Sequence, residues 1–119
     1  MGNSVPQDRE SFQGAKDLKV FISQPMKGRT EKEILDQRKR IEEYIKSEVN
    51  YEVEILDSYV ESAPDECNPV FFLGLSLQFL SQADLCVFAE GWEDARGCRI
   101  EQQVCEEYNI PNITLIDEE

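Results

Sequence analysis

Four short β-forming runs, at residues 18–23, 51–56, 83–89 and 112–116, alternate with longer segments that carry helical signals, and this alternation limits the fold more than any other feature. Consecutive strands joined by a dozen or more residues pair in parallel through crossovers, whereas hairpins need only a few. The βαβαβαβ pattern therefore predicts an α/β fold, a three-layer flavodoxin-like (Rossmann-like) parallel sheet with helices on both faces and strand order 2-1-3-4. In that sequence of strands the order reverses between the first and third strands. A ligand crevice is then expected outside their carboxyl ends, walled by the loops at 23–29 and 90–97.

Local signals agree with this division. Leu18, Val20, Phe21 and Ile22 form the first strand, closed by the Pro25 to Gly28 turn. Thr30 and Glu33 have capping-box spacing, and Ile34, Ile41, Tyr44, Ile45 and Val49 recur at helical intervals, predicting a helix over about 31–48. Tyr51, Val53 and Ile55 alternate with Glu52 and Glu54, as in a half-exposed edge strand. After an acidic connection at 57–69, Asn68 and Pro69 open a helix over about 69–82 that is apolar around most of its surface. The run at 83–89 reads as a strand buried on both faces, 90–97 as a loop, and 98–109 as a helix with Ile100, Val104, Cys105 and Tyr108 on one stripe. Residues 1–16 show no periodicity and are expected to be a flexible lead-in to one domain over 17–119.

Charge and composition exclude several functions. The formal net charge is −13, from 25 acidic and 12 basic residues, so neither a nucleic acid polymer nor an anionic membrane is an expected partner. No apolar run approaches the roughly 18 residues of a membrane span, and the start lacks a signal-peptide layout. Pro6 spoils a myristoylation signal at Gly2. A cytoplasmic location is expected. Cys67, Cys86, Cys98 and Cys105 have no CxxC spacing and there is no histidine, so no metal site and no cofactor are expected and the thiols should stay reduced. The missing histidine also removes Ser-His-Asp and Cys-His catalysis, leaving carboxylates, Lys, Tyr or a thiol to carry any acid–base or nucleophilic chemistry.

The two crevice loops and the adjoining helix start hold Lys27, Arg29, Arg96 and Arg99, a concentration of positive charge in an acidic chain. Gly28 and Gly97 permit close backbone approach, and helix N-termini suit phosphate, so a small anion is one candidate ligand; solvated turns are the alternative. Trp92 offers a stacking surface, or else covers the edge of the core. Asp94 and Glu101 form a candidate carboxylate pair of the kind used in glycosyl transfer, although an Asp before a helix also caps it and a Glu early in a helix also suits the dipole.

The segment Phe21-Ile22-Ser23-Gln24-Pro25-Met26-Lys27-Gly28 resembles the first-loop "SGPM-basic-G" segment of small proteins related to nucleoside 2-deoxyribosyltransferases. Residues 91–101, read as GWEDARGCRIE, are similar to their "GWEDSRGARxE" segment, and the likeness runs from about Lys19 to Ile116. The resemblance implies a flavodoxin-like sheet and a glutamate nucleophile that forms a glycosyl-enzyme intermediate, a role that falls by position on Glu101. It further implies substrate contacts from the first loop, at Ser23, Gln24, Met26, Lys27 and Gly28, and assembly into a homo-oligomer, dimer or higher, in which a neighbouring subunit often completes the site. One departure matters. Where nucleotide N-glycosidases of this group have an aspartate in a stretch like "RDLEWLQQAD", this chain has Ser76, and a hydroxyl is a poor proton donor in a carboxylate's place.

The expected function is cleavage or transfer at the N-glycosidic bond of a small nucleoside or nucleoside 5′-monophosphate. Glu101 would attack C1′ with retention, Asp94 would assist the leaving base or the ribose hydroxyls, Trp92 would stack, and Lys27 and Arg96, with Gly97 beside them, would hold a 5′-phosphate. A non-catalytic domain that binds or senses a nucleotide derivative is the alternative raised by Ser76. An acidic interaction module with no small ligand is the third reading.

Overall fold

In a computed structural model of the chain, residues 17–50, 52–56 and 69–116 are described. The elements run β1 (Asp17–Ser23), α1 (Glu31–Glu48), β2 (Glu52–Ile55), α2 (Pro69–Leu80), β3 (Leu85–Ala89), a single 3₁₀ turn (Trp92–Asp94), α3 (Arg96–Tyr108) and β4 (Asn112–Leu115). All three strand pairings are parallel, as the crossover lengths require, and the order is the expected β2-β1-β3-β4. The readings of 1–16 as a lead-in, of 57–68 as an acidic connection with Asn68 as cap, and of Tyr51 and Cys67 lie outside the described residues. No described helix is long and apolar enough to cross a membrane.

The period-2 alternation of the central strands sorts side chains into two cores. Leu18, Val20 and Ile22 of β1, with Leu85, Val87 and Ala89 of β3, face Ile41, Ile45 and Val49 of the α1 layer. Phe21 of β1 with Cys86 and Phe88 of β3 face the opposite way, against Leu80 of α2 and Cys105 of α3. Every residue of β3 is buried, as a parallel strand covered on both faces must be. In β2 the burial alternates, Glu52 and Glu54 being exposed, which fits its place at the edge.

Local chemistry fixes the ends. The Thr30 side chain accepts from the Glu33 N–H at 3.1 Å while the Glu33 carboxylate accepts from the Thr30 N–H at 3.0 Å, a complete capping box at the start of α1. Asp84 joins the starts of the two central strands: its N–H donates to the Lys19 carbonyl at 2.7 Å and its carboxylate accepts from the Lys19 N–H at 2.9 Å. α2 stops at Leu80, two residues short of the expected end, where the Ser81 hydroxyl donates to the Gln78 carbonyl at 2.6 Å and the chain turns.

The segment after β3 corrects the expected loop at 90–97. Gly91 takes φ +91°, the Asp94 N–H donates to the Gly91 carbonyl at 3.1 Å, and residues 92–94 coil into the 3₁₀ turn. Arg96 and Gly97 then belong to α3, which starts two residues earlier than its apolar stripe indicates. The reason is that the first turn of a helix needs no apolar residue, so periodicity does not register it.

Phe88 is fully buried at the centre of the second core, with its ring centroid 5.2 Å from that of Trp92. Phe88→Ala should cost about 3–5 kcal/mol, read as a lower urea midpoint with an unchanged slope.

Candidate functional site

Ser23 ends β1, and the same alternation that sends Ile22 toward α1 sends Ser23 toward α3. Glu101 lies in the second turn of α3 with its side chain turned inward, on the same stripe as Cys98 and Cys105. The two meet at the carboxyl end of the central strands: the Ser23 hydroxyl donates to Glu101 Oε1 at 2.6 Å. Both are buried, Ser23 at 1% and Glu101 at 6% exposure. Ser23 is the one hydrogen-bond partner of the Glu101 carboxylate among the described residues, and Oε2 has none.

A carboxyl group in such a place resists ionisation. Burial pushes the Glu101 pKa up to about 7 from 4.5, against the opposing pull of the Ser23 hydrogen bond, which stabilises the carboxylate. The titratable groups near it are thiols. Burial likewise raises Cys98 to about 11, although the Ser23 hydroxyl, Arg29 and Arg99 pull it down, and burial also pushes Cys86 well above its ordinary value. Both are protonated at neutral pH. Sequence reasoning passed over Cys98 as a neighbour of the site, yet its position three residues before Glu101 on a helix places both on one face.

The other residues singled out in the sequence divide between support and surface. Gln24 faces the α1 layer: its amide donates to the Ile34 carbonyl and to Gln37 Oε1, each at 2.8 Å. Arg29 donates to Gln37 Oε1 at 3.0 Å and to the Glu90 carbonyl at 3.3 Å, linking the first loop to the second. A Cβ on Gly91 would stand 2.9 Å from an Arg29 guanidinium nitrogen and 3.4 Å from Pro25 Cγ, so the two loops are in direct contact. Arg99 donates to the Glu93 carbonyl at 2.9 Å. Arg29 and Arg99, two of the four loop cations, therefore serve the loops themselves.

Lys27 and Arg96 remain exposed with no ion-pair partner among the described residues, and Met26 and Gly28 are exposed beside Lys27. Gly28 has φ +80°, which explains its glycine. Gly97 has no such backbone demand and a Cβ there would meet nothing within 4 Å, so packing within the chain does not explain it. Asp94 is exposed, and its carboxylate has no partner among the described residues. The capping alternative for Asp94 fails, because the N-cap of α3 is Ala95 and no side chain caps that helix. Trp92 is half-buried against Phe88, which supports the reading of a core cover and still leaves part of the ring exposed. Ser76 is half-buried on α2 without a hydrogen-bond partner among the described residues.

The structure thus brings Ser23, Cys98 and Glu101 together and ties the two loops through Arg29 and Gly91. Among the described residues no cluster of acidic or sulfur ligands is arranged for a metal. Comparisons with protein-family models, with curated proteins and with solved structures find no match to this chain.

The buried acid has a thermodynamic consequence. Between about 4.5 and 7 the folded chain holds a proton on Glu101 that the unfolded chain releases, so stability falls as pH rises through that window. The full difference of about 2.5 pKa units corresponds to at most about 3 kcal/mol. Glu101→Gln removes the titration. Urea unfolding should find wild type and variant alike near pH 4 and the variant more stable by up to about 3 kcal/mol at pH 8.

Proposed function

We propose that the chain is an enzyme that breaks or exchanges the N-glycosidic bond of a nucleoside or nucleoside 5′-monophosphate, with Glu101 as nucleophile. The observation that carries this reading is a buried carboxylate with one oxygen held by Ser23 and the other without a partner, at the carboxyl ends of β1 and β3. A carboxylate costs stability there, which is the expected mark of a group kept for chemistry.

In the first step Glu101 Oε2 attacks C1′ and the electrons of the C1′–N bond pass to the base, which takes a proton from water, while Asp94 is the carboxylate available to the ribose hydroxyls. In the second, water or another base displaces the glycosyl ester and restores the original configuration. Lys27 and Arg96, exposed and without an ion-pair partner, are suited to a 5′-phosphate, as is the uncapped start of α3 beside Gly97. The part of the Trp92 ring left exposed is the surface on which a base would stack.

A second reading, a domain that binds a nucleotide derivative without cleaving it, draws on Ser76 and on the 6% exposure of Glu101. Incubation of the protein with a panel of nucleosides and 5′-monophosphates, followed by chromatography for free base, separates the two. Enzyme action predicts release by wild type and none by Glu101→Gln, with kcat/KM rising with pH about a midpoint near 7 as the carboxylate forms. Lys27→Ala and Arg96→Ala should weaken monophosphates more than nucleosides. No release from any member, with a thermal shift on nucleotide addition, would establish the binding domain instead.

The expected homo-oligomer also finds support. α2 has no charged residue in its sequence PVFFLGLSLQFL, buries only Leu80, and leaves Val70 72% and Phe71 54% exposed. Two copies each carrying a net charge of −13 approach at least electrostatic cost along such a face. Light scattering should give a dimer or larger for wild type and a smaller particle for Val70→Glu with Phe71→Glu.

A further inference from the structure

We propose that Ser23 is a positioning residue, which fixes Glu101 by its Oε1 so that Oε2 alone is presented for attack, and is not itself a contact to substrate. The inference rests on the glycosidic reading above and departs from the first-loop substrate role expected for Ser23.

Three observations carry it. First, Ser23 is 1% exposed, so its hydroxyl is inside the protein and its partners are there. Second, a hydroxyl has one proton to give, and the geometry gives it to Glu101 Oε1 at 2.6 Å. Third, the other neighbour of that hydroxyl is the Cys98 thiol, which keeps its own proton at neutral pH and therefore does not compete for the proton of Ser23. β3 fixes the backbone of Ser23, which lies opposite Phe88 in the parallel register, so the hydroxyl is carried by paired strand and not by loop.

The groups around Glu101 make its response readable. α3 contributes Cys98 and Cys105, β3 contributes Cys86, β1 contributes Ser23, and α2 carries no titratable residue. No charged side chain acts appreciably on Glu101, so loss of the Ser23 hydroxyl leaves burial as the dominant influence and its pKa should rise above the present value of about 7.

The test compares wild type, Ser23→Ala and Ser23→Thr, the last keeping a hydroxyl, by steady-state kinetics across pH and by carbon NMR titration of carboxyl-labelled glutamate, with Glu101→Gln assigning the resonance. Ser23→Ala should lower kcat by about tenfold to a hundredfold, the range for losing a hydrogen bond to a charged group, with KM unchanged. It should also move the rate midpoint and the Glu101 titration to higher pH together, and Ser23→Thr should restore both. A raised KM with unchanged kcat would overturn the proposal in favour of a substrate contact. An unmoved Glu101 titration would overturn it whatever the kinetics. Were no protein to release base, the glycosidic reading would fall, and the titration alone would still decide whether Ser23 holds Glu101.

Discussion

The parallel pairing of β1 with β3 is the constraint from which the rest follows. Val20 to Ser23 lie opposite Leu85 to Phe88, and this register fixes which way each side chain of the two strands points. It sends the odd-numbered β1 residues Phe21 and Ser23 toward α3 and the even-numbered ones toward α1. A one-residue slip would exchange the two sets and place a hydroxyl in the aliphatic core under α1, where it would have no partner. The meeting of Ser23 with Glu101 is thus a consequence of sheet register as much as of either residue's identity.

That meeting also explains how an acidic helix residue comes to be tolerated inside. α3 buries a stripe made of Cys98, Glu101 and Cys105, small or polar groups that pack against the strands without the bulk of leucine. The stripe is a weak core by hydrophobic standards, since a thiol and a carboxyl contribute less than branched aliphatics. α1, with Ile34, Ile41 and Ile45 facing its side of the sheet, is the stronger anchor. On the α3 side the apolar packing comes instead from Phe21, Phe88 and Leu80, and α3 adds its polar groups beside them.

Much of this was legible in the sequence, and the limits have physical causes. Parallel pairing followed from crossover lengths, and the start of α1 from Thr30 and Glu33, whereas the inward turn of Glu101 depends on where α3 begins and how it packs. The first turn of α3 was missed because Arg96 and Gly97 carry no periodic apolar signal. The use of Gln24 and Arg29 in tying loops to α1 was missed because amide and guanidinium groups serve ligands and loops with the same donors, and only tertiary contacts decide between them. Trp92 presented the same ambiguity, and its contact with Phe88 settled only the buried part of the ring.

The thiols supply something besides packing. Thiol reagents attack the thiolate, and burial keeps Cys86 and Cys98 protonated and covered, so each is silent until its surroundings open. Cys86 is in the middle of the sheet, while Cys98 lies in the first turn of α3, on the buried side that carries Glu101. Their labelling rates are consequently two clocks on one molecule, one timing the opening of the whole core and the other the breathing of the crevice. The difference between them measures how independently the crevice moves.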